Sequence, residues 1–218
     1  MSTAEVLGLA AQLRAATWAD HVRLERSSLM RALVQGNLPK LAYAILLRNL
    51  VDIYAALEAR LFEHREAPGI APIFDPALAR SAALVSDLEG LRGPDWRTLP
   101  VSDAARAYSA RIDSVDPAHP EPLVAHAYVR YLGDLNGGQV LVKVVRRTIL
   151  GGATGGTRFF EFGAPDEVAR LVEHLRLGLD AVGIARPAAV EAIVGEARSA
   201  FVLHEALFQQ VERLAAAS

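Results

Sequence analysis

Cysteine is missing from all 218 residues. Its absence excludes disulfides, thiolate metal ligands, iron–sulfur clusters and a cysteine nucleophile. Lysine is almost missing too: Lys40 and Lys143 stand alone, so the cationic chemistry falls to arginine, whose planar fork suits bidentate pairing with carboxylates. Neither sign of charge is in excess, the net being −2, so nothing draws the chain in bulk to nucleic acid or to an anionic membrane. No window approaches the roughly 18 uncharged apolar residues of a membrane span. The opening MSTAEVLGLAAQLRAATWADH carries Glu5 and no basic n-region, and reads as mature helix rather than a signal peptide. These absences point to a cytoplasmic protein, long enough for one domain with a substantial core.

Helical periodicity fills the chain. Residues 4–27 predict a helix with Val6, Leu9, Leu13, Thr17, His21 and Leu24 along one stripe. A short helix near 28–35 is ended by Gly36. Residues 39–66 predict a long helix opened by Asn37 and Pro39. Asp75-Pro76 predicts the start of a helix running to about Gly90, and Ser102 starts another over 102–114. The DPAHPEP segment, 116–122, stops the pattern, and Pro122 opens a helix to about Ile149. Helices near 166–182 and 187–216 close the chain, with a break from Gly183 to Pro187. The segment GGATGGTRFFEFG, 151–163, lacks a Gly-Lys-Ser/Thr ending and a preceding strand, so it is expected to be a flexible connection rather than a phosphate loop. No alternating run survives as a strand. The expectation is a single all-α domain over 1–218.

Among six histidines, His64 sits in the solvated EHRE, His119 in a loop, and His126 and His174 flank polar or mixed positions. His21 differs because it lies on the apolar stripe, with Glu25 at i+4, where the two side chains meet. A carboxylate near one imidazole nitrogen fixes the tautomer and strengthens the other as a metal ligand. The alternative is a core histidine paired with Glu25 for satisfaction alone. A di-iron bundle would need a glutamate three residues before a histidine on two helices. Those positions hold Trp18, Leu61, Asp116, Leu123, Leu171 and Phe201, and the one carboxylate, Asp116, is in the proline loop.

The stretch YVRYLGDLNGGQVLVKVVRR, 128–147, keeps apolar residues at helical spacing yet carries Gly133, Gly137 and Gly138 in its middle. Each interior glycine costs a helix about 1 kcal/mol relative to alanine. Gly133 and Gly137 are four apart and share a face, so either a flat object or another helix can approach the backbone there. Gly138, with Asn136 able to bond its own backbone, permits a kink. Close packing of a helix does not account for Asp134, which is costly to bury unless hydrogen-bonded. Arg130, at i−4, and Tyr54, on another helix, are its candidate partners.

RYLGDLNGGQVL, 130–141, resembles the distal-helix signature of the haem oxygenases. LRAATWADHVRLERSSLM, 13–30, is similar to the family's proximal helix, and IYAALEARL, 53–61, and EARSAFVLHEALFQQVERL, 196–214, are similar to its third and last helices. The order and spacing agree along nearly the whole chain. The resemblance implies a haem-oxygenase-like helical fold with haem, at once substrate and cofactor, between the first helix and the kinked glycine-rich helix. It implies oxidative cleavage to biliverdin, carbon monoxide and ferrous iron, consuming O2 and electrons. His21 takes the place of the iron-ligating histidine, with Glu25 on its other nitrogen. The glycines lie over the distal face, and Asp134 anchors a chain of waters that delivers a proton. By position Arg14, Tyr128 and Arg176 match the family's contacts to the haem propionates. With no flavin or nicotinamide motif, electrons would come from an external donor, a ferredoxin or an NAD(P)H-dependent reductase. A monomer is expected.

Three positions depart from the family pattern. Trp18 stands where a basic residue often assists the propionates, and His204 where an asparagine commonly joins the distal water network. Asn136 replaces the usual serine. The chain stops at LAAAS without the hydrophobic anchor of some members, which suits a soluble bacterial-type enzyme.

Overall fold

Apolar side chains recur at helical spacing throughout, and the computed structural model, which describes residues 7–152 and 155–217, shows helices and no strand among them. The α-helices are α1 (Leu9–Glu25), α2 (Ser28–Gln35), α3 (Lys40–Glu63), α4 (Ser81–Arg92), α5 (Asp103–Asp113), α6 (Pro122–Ala127), α7 (Gly133–Val144), α8 (Pro165–Ala185) and α9 (Val190–Ala217). None is long and apolar enough to cross a membrane. Residues 4–6 of the expected first helix, Val6 among them, lie outside the described residues.

α3 is apolar around most of its circumference, with Tyr43, Ile45, Leu47, Ile53, Tyr54 and Leu57 all fully buried, so it must run through the core. α4, α5 and α9 pack around it, while α1 lies on α8 and α9. The buried apolar residues form one contiguous cluster. Local signals set several ends. Ser27 and Ser102 accept backbone N–H groups at the starts of α2 and α5, and Gly36 closes α2 with φ +73°, a conformation only glycine adopts freely.

Four boundaries differ from expectation. Asp75 caps only a 3₁₀ turn, Pro76–Leu78, because Ala79 is extended. α4 therefore begins later, and Glu58 of α3 accepts the backbone N–H groups of Arg80 and Ser81. The helix expected over 122–149 is interrupted by two π-helical turns, Tyr128–Leu132 and Val145–Ile149. The first π turn lies just ahead of the glycines, where a kink was expected, and its wider winding re-aims the side chains it carries. α8 continues through Gly183, whose bare Cα lets Leu9 pack on it, and breaks only at Arg186, whose following proline disfavours helical backbone. Finally, the segment expected to be a flexible connection is anchored from 157 to 162: Thr157, Phe159, Phe160 and Phe162 are buried.

α1 has no local cap, since Gly8 precedes it. Asp180 of α8 supplies one instead, accepting the Ala10 N–H at 2.9 Å. A cap of this kind contributes about 1 kcal/mol. Asp180→Ala should lower the stability of the chain by about that amount in a urea titration, with faster amide exchange confined to the first turn of α1.

Candidate functional site

Asp134 occupies the first turn of α7, where Arg130 from the preceding π turn and Tyr54 from α3 converge on it. The Tyr54 hydroxyl donates to Asp134 Oδ2 in a very short hydrogen bond. Arg130 Nε donates to the Tyr54 hydroxyl at 3.0 Å, and its guanidinium stacks over the Tyr54 ring at 4.9 Å. Arg130 Nη2 stops 3.9 Å short of Asp134 Oδ1. Its Nη1 lies 3.1 and 2.9 Å from the two ring nitrogens of His204 on α9. Both partners expected for Asp134 are thus in place, and His204 joins them.

The charges follow from this packing. Burial pushes the Asp134 carboxyl up to about 6, against the pull of Arg130, the Tyr54 hydrogen bond and the field of Arg80. Burial and then Arg130 hold His204 well below the usual histidine range, so it is a neutral ring that accepts from the guanidinium. Burial alone would lower Arg130, but Tyr54 and Asp134 outweigh it and keep the cation. An acid held near neutrality, on a network of donors, is suited to passing a proton.

The glycines divide into two kinds. A Cβ added at Gly133 or Gly137 would meet nothing within 4 Å, whereas one at Gly138 would sit 2.9 Å from the Phe160 carbonyl oxygen. Close packing accounts for Gly138, and open space lies beside Gly133 and Gly137. Asn136 Nδ2 donates to the Leu132 carbonyl at 2.7 Å, the self-satisfaction its position suggested.

On α1, His21 is half-exposed, its ring stacked with Trp18 at 6.0 Å and edge-on to Phe201 at 6.2 Å. Its Nδ1 is buried without a hydrogen bond, and Glu25 Oε2 stands 3.7 Å away, within ion-pair reach but longer than a hydrogen bond. No cluster of three histidine or carboxylate side chains placed to hold a metal occurs among the described residues. A metal on His21 would therefore have to bring most of its ligands with it, as a metal inside a macrocycle does. Thr17, one turn before His21, bonds the Tyr128 hydroxyl at 3.2 Å and ties α1 to the π turn ahead of α7. Arg14 and Arg176 are exposed, and neither has a carboxylate partner among the described residues, although Arg14 lies 5.9 Å from the Trp18 ring. Exposed cations without a carboxylate partner suit an anionic ligand edge.

Sequence reasoning missed a second buried cluster. His126 Nε2 is 3.0 Å from Glu196 Oε1, and Arg111 bonds both Glu196 oxygens. Its members lie on three helices, so no local spacing could announce it. The same holds for Phe159, which stands edge-on to the Tyr54 ring at 5.3 Å.

A family model described as Heme oxygenase matches residues 7–210. The chain is 35% identical over 204 residues to the heme oxygenase of Pyropia yezoensis, covering 93% of this chain and 85% of the relative. It is 34% identical over 207 residues to heme oxygenase 1 of Synechocystis, covering 94% and 85%. Among solved structures, heme oxygenase-1 from Synechocystis in complex with heme superposes with a TM-score of 0.85 at 33% identity, covering 97% of this chain and 96% of that one. Heme oxygenase-2 from the same organism, in complex with heme and NO, gives 0.87 at 33% identity, covering 97% and 88%.

Asp134 also sets a pH dependence. Native Asp134 keeps its proton to about pH 6, while the unfolded carboxyl loses it near 3.8. The folded state therefore binds more protons in that interval, and stability falls as pH rises through it, then levels off. Asp134→Asn should remove this slope and raise stability at pH 7 by up to about 3 kcal/mol. Urea titrations from pH 4 to 7 test this; parallel curves for the two proteins would mean that the carboxyl ionises normally in the fold.

Proposed function

The chain belongs to the heme oxygenase family, and on that premise we propose that it cleaves haem oxidatively to biliverdin, carbon monoxide and ferrous iron. The observation that carries this reading is the open face at Gly133 and Gly137 beside a largely enclosed acid raised to about 6. The donor set fits the group: His21 offers one imidazole whose buried Nδ1 has no hydrogen bond, and Arg14 and Arg176 have no carboxylate partner among the described residues. Bound haem would supply the iron that takes up and reduces dioxygen and the ring whose meso carbon is opened.

The residues of the chain do the rest. His21 would offer the iron its imidazole, and Glu25, closing from 3.7 Å, would hold its Nδ1 and fix the tautomer. Arg14, Arg176 and Tyr128 take the propionates, with the Tyr128 hydroxyl shared between the ligand and Thr17. Gly133 and Gly137 would admit a flat ring and offer no side chain that could bind its iron. Gly138 seats the helix behind them. Asp134 organises the distal water and hands on a proton, while Tyr54 and Arg130 hold its carboxyl in place. Electrons arrive from a separate ferredoxin or NAD(P)H-dependent reductase, and the chain works as a cytoplasmic monomer of one haem oxygenase domain.

Haemin titrated into the purified chain should bind one to one with the visible spectrum of an imidazole-ligated complex, and His21→Ala should lose that spectrum. Reductant under air should then replace the Soret band with biliverdin absorbance. Asp134→Ala should keep the His21 ligation yet slow biliverdin formation by about a hundredfold. Equal rates in the two proteins would remove Asp134 from the mechanism.

A further inference from the structure

The turn 158–160 touches the candidate site at two points. The Phe159 ring stands edge-on to Tyr54, and the Phe160 carbonyl fills the space that a side chain on Gly138 would need. One residue outside the site fixes both contacts. Asp87 of α4 is fully buried; its Oδ1 accepts the Arg158 N–H at 2.9 Å and its Oδ2 the Phe159 N–H at 2.8 Å. Arg158 does not bridge it, because its guanidinium donates to the Ser86 hydroxyl at 2.9 Å. Behind the turn, Arg146 donates to Thr157 Oγ1 at 3.1 Å and to Glu161 Oε1 at 2.6 Å. Burial raises the Asp87 carboxyl and the two backbone donors pull it back. A carboxylate spent on two backbone amides in the core is a costly way to hold an ordinary loop.

We infer that Asp87 is a positioning residue for the distal side: by pinning 158–160 it seats α7 at Gly138, aims the Tyr54 ring, and so places Asp134. This rests on the proposed function only in treating Asp134 as the working acid. Its test needs no haem. A failure of the wild-type chain to cleave haemin would sink that function and leave the measurements below standing.

The test uses the ligand-free chain, following the Asp134 carboxyl by NMR titration and the amides of 133–138 by hydrogen exchange. The groups facing Asp134 are Arg130 and Tyr54, with Arg80 acting through its field. In Asp87→Ala the turn should loosen and admit water. The Asp134 midpoint should fall from about 6 toward the ordinary carboxylate range, and exchange over 133–138 should quicken on the order of tenfold. Asp87→Asn, which keeps one acceptor, should lie between. Should the alanine variant not fold, Phe159→Leu keeps both backbone bonds to Asp87 and removes the ring's contacts with Tyr54 and Phe160, and should move the Asp134 midpoint with a smaller rise in exchange over 133–138 than the Asp87 change gives. Variants with a lowered melting temperature but wild-type titration and exchange would make Asp87 a stabiliser and nothing more, overturning the inference. A wild-type midpoint in Phe159→Leu would overturn the Tyr54 arm of it.

Discussion

The buried guanidinium of Arg130 is the constraint on which the rest of the site depends. A cation 3% exposed cannot rely on water, so it must find partners inside the fold. It draws them from separate helices: Tyr54 from α3, His204 from α9 and, at longer range, Asp134 from α7. Each partner's protonation state answers to it. His204 must stay neutral to accept, Tyr54 must accept from Arg130 while donating to Asp134, and the carboxyl feels the charge without a direct hydrogen bond. Removing the guanidinium would leave three groups without their organiser, two of them, Tyr54 and His204, buried.

The π turn Tyr128–Leu132 explains how one short segment serves two faces. Its wide winding lets Arg130 point into the core while Tyr128, two residues earlier, reaches α1 at Thr17. Immediately beyond it, Gly133 and Gly137 open the helix surface and Gly138 closes against Phe160. The glycines therefore meet two different surroundings: open space beside Gly133 and Gly137, and a packed turn against Gly138.

The helical class and most helix spans were legible because period and caps are local. The Asp134 partners were legible in part, since Arg130 is one turn away and Tyr54 sits in a recognisable helix. What stayed hidden was non-local. Asp87 reads as one acid in an amphipathic helix until the turn 158–160 folds onto it. Asp75 looks like the start of a long helix, but Glu58, seventeen residues earlier, fixes the real start at Ser81. The GGATGGTRFFEFG segment reads as slack because glycines are visible in sequence and anchors from α4 are not.

Glu196 and Asp134 show how hydrogen bonding sets the charge of an enclosed acid in this fold. Both lie near an arginine, and burial pushes both upward. Glu196 is met by Arg111 through both oxygens and by His126 at 3.0 Å, and these bonds hold it down at about 2. It is a permanent anion that binds α5 and α6 to α9. Asp134 sits 3.9 Å from Arg130, which has committed its hydrogen bonds to Tyr54 and His204, so burial prevails and the carboxyl rises to about 6. The hydrogen bonds each acid receives, from His126 and Arg111 on Glu196 and from Tyr54 alone on Asp134, rather than the mere presence of an arginine, set the two apart. A guanidinium that closed on Asp134 as Arg111 closes on Glu196 would stabilise the fold and silence the site.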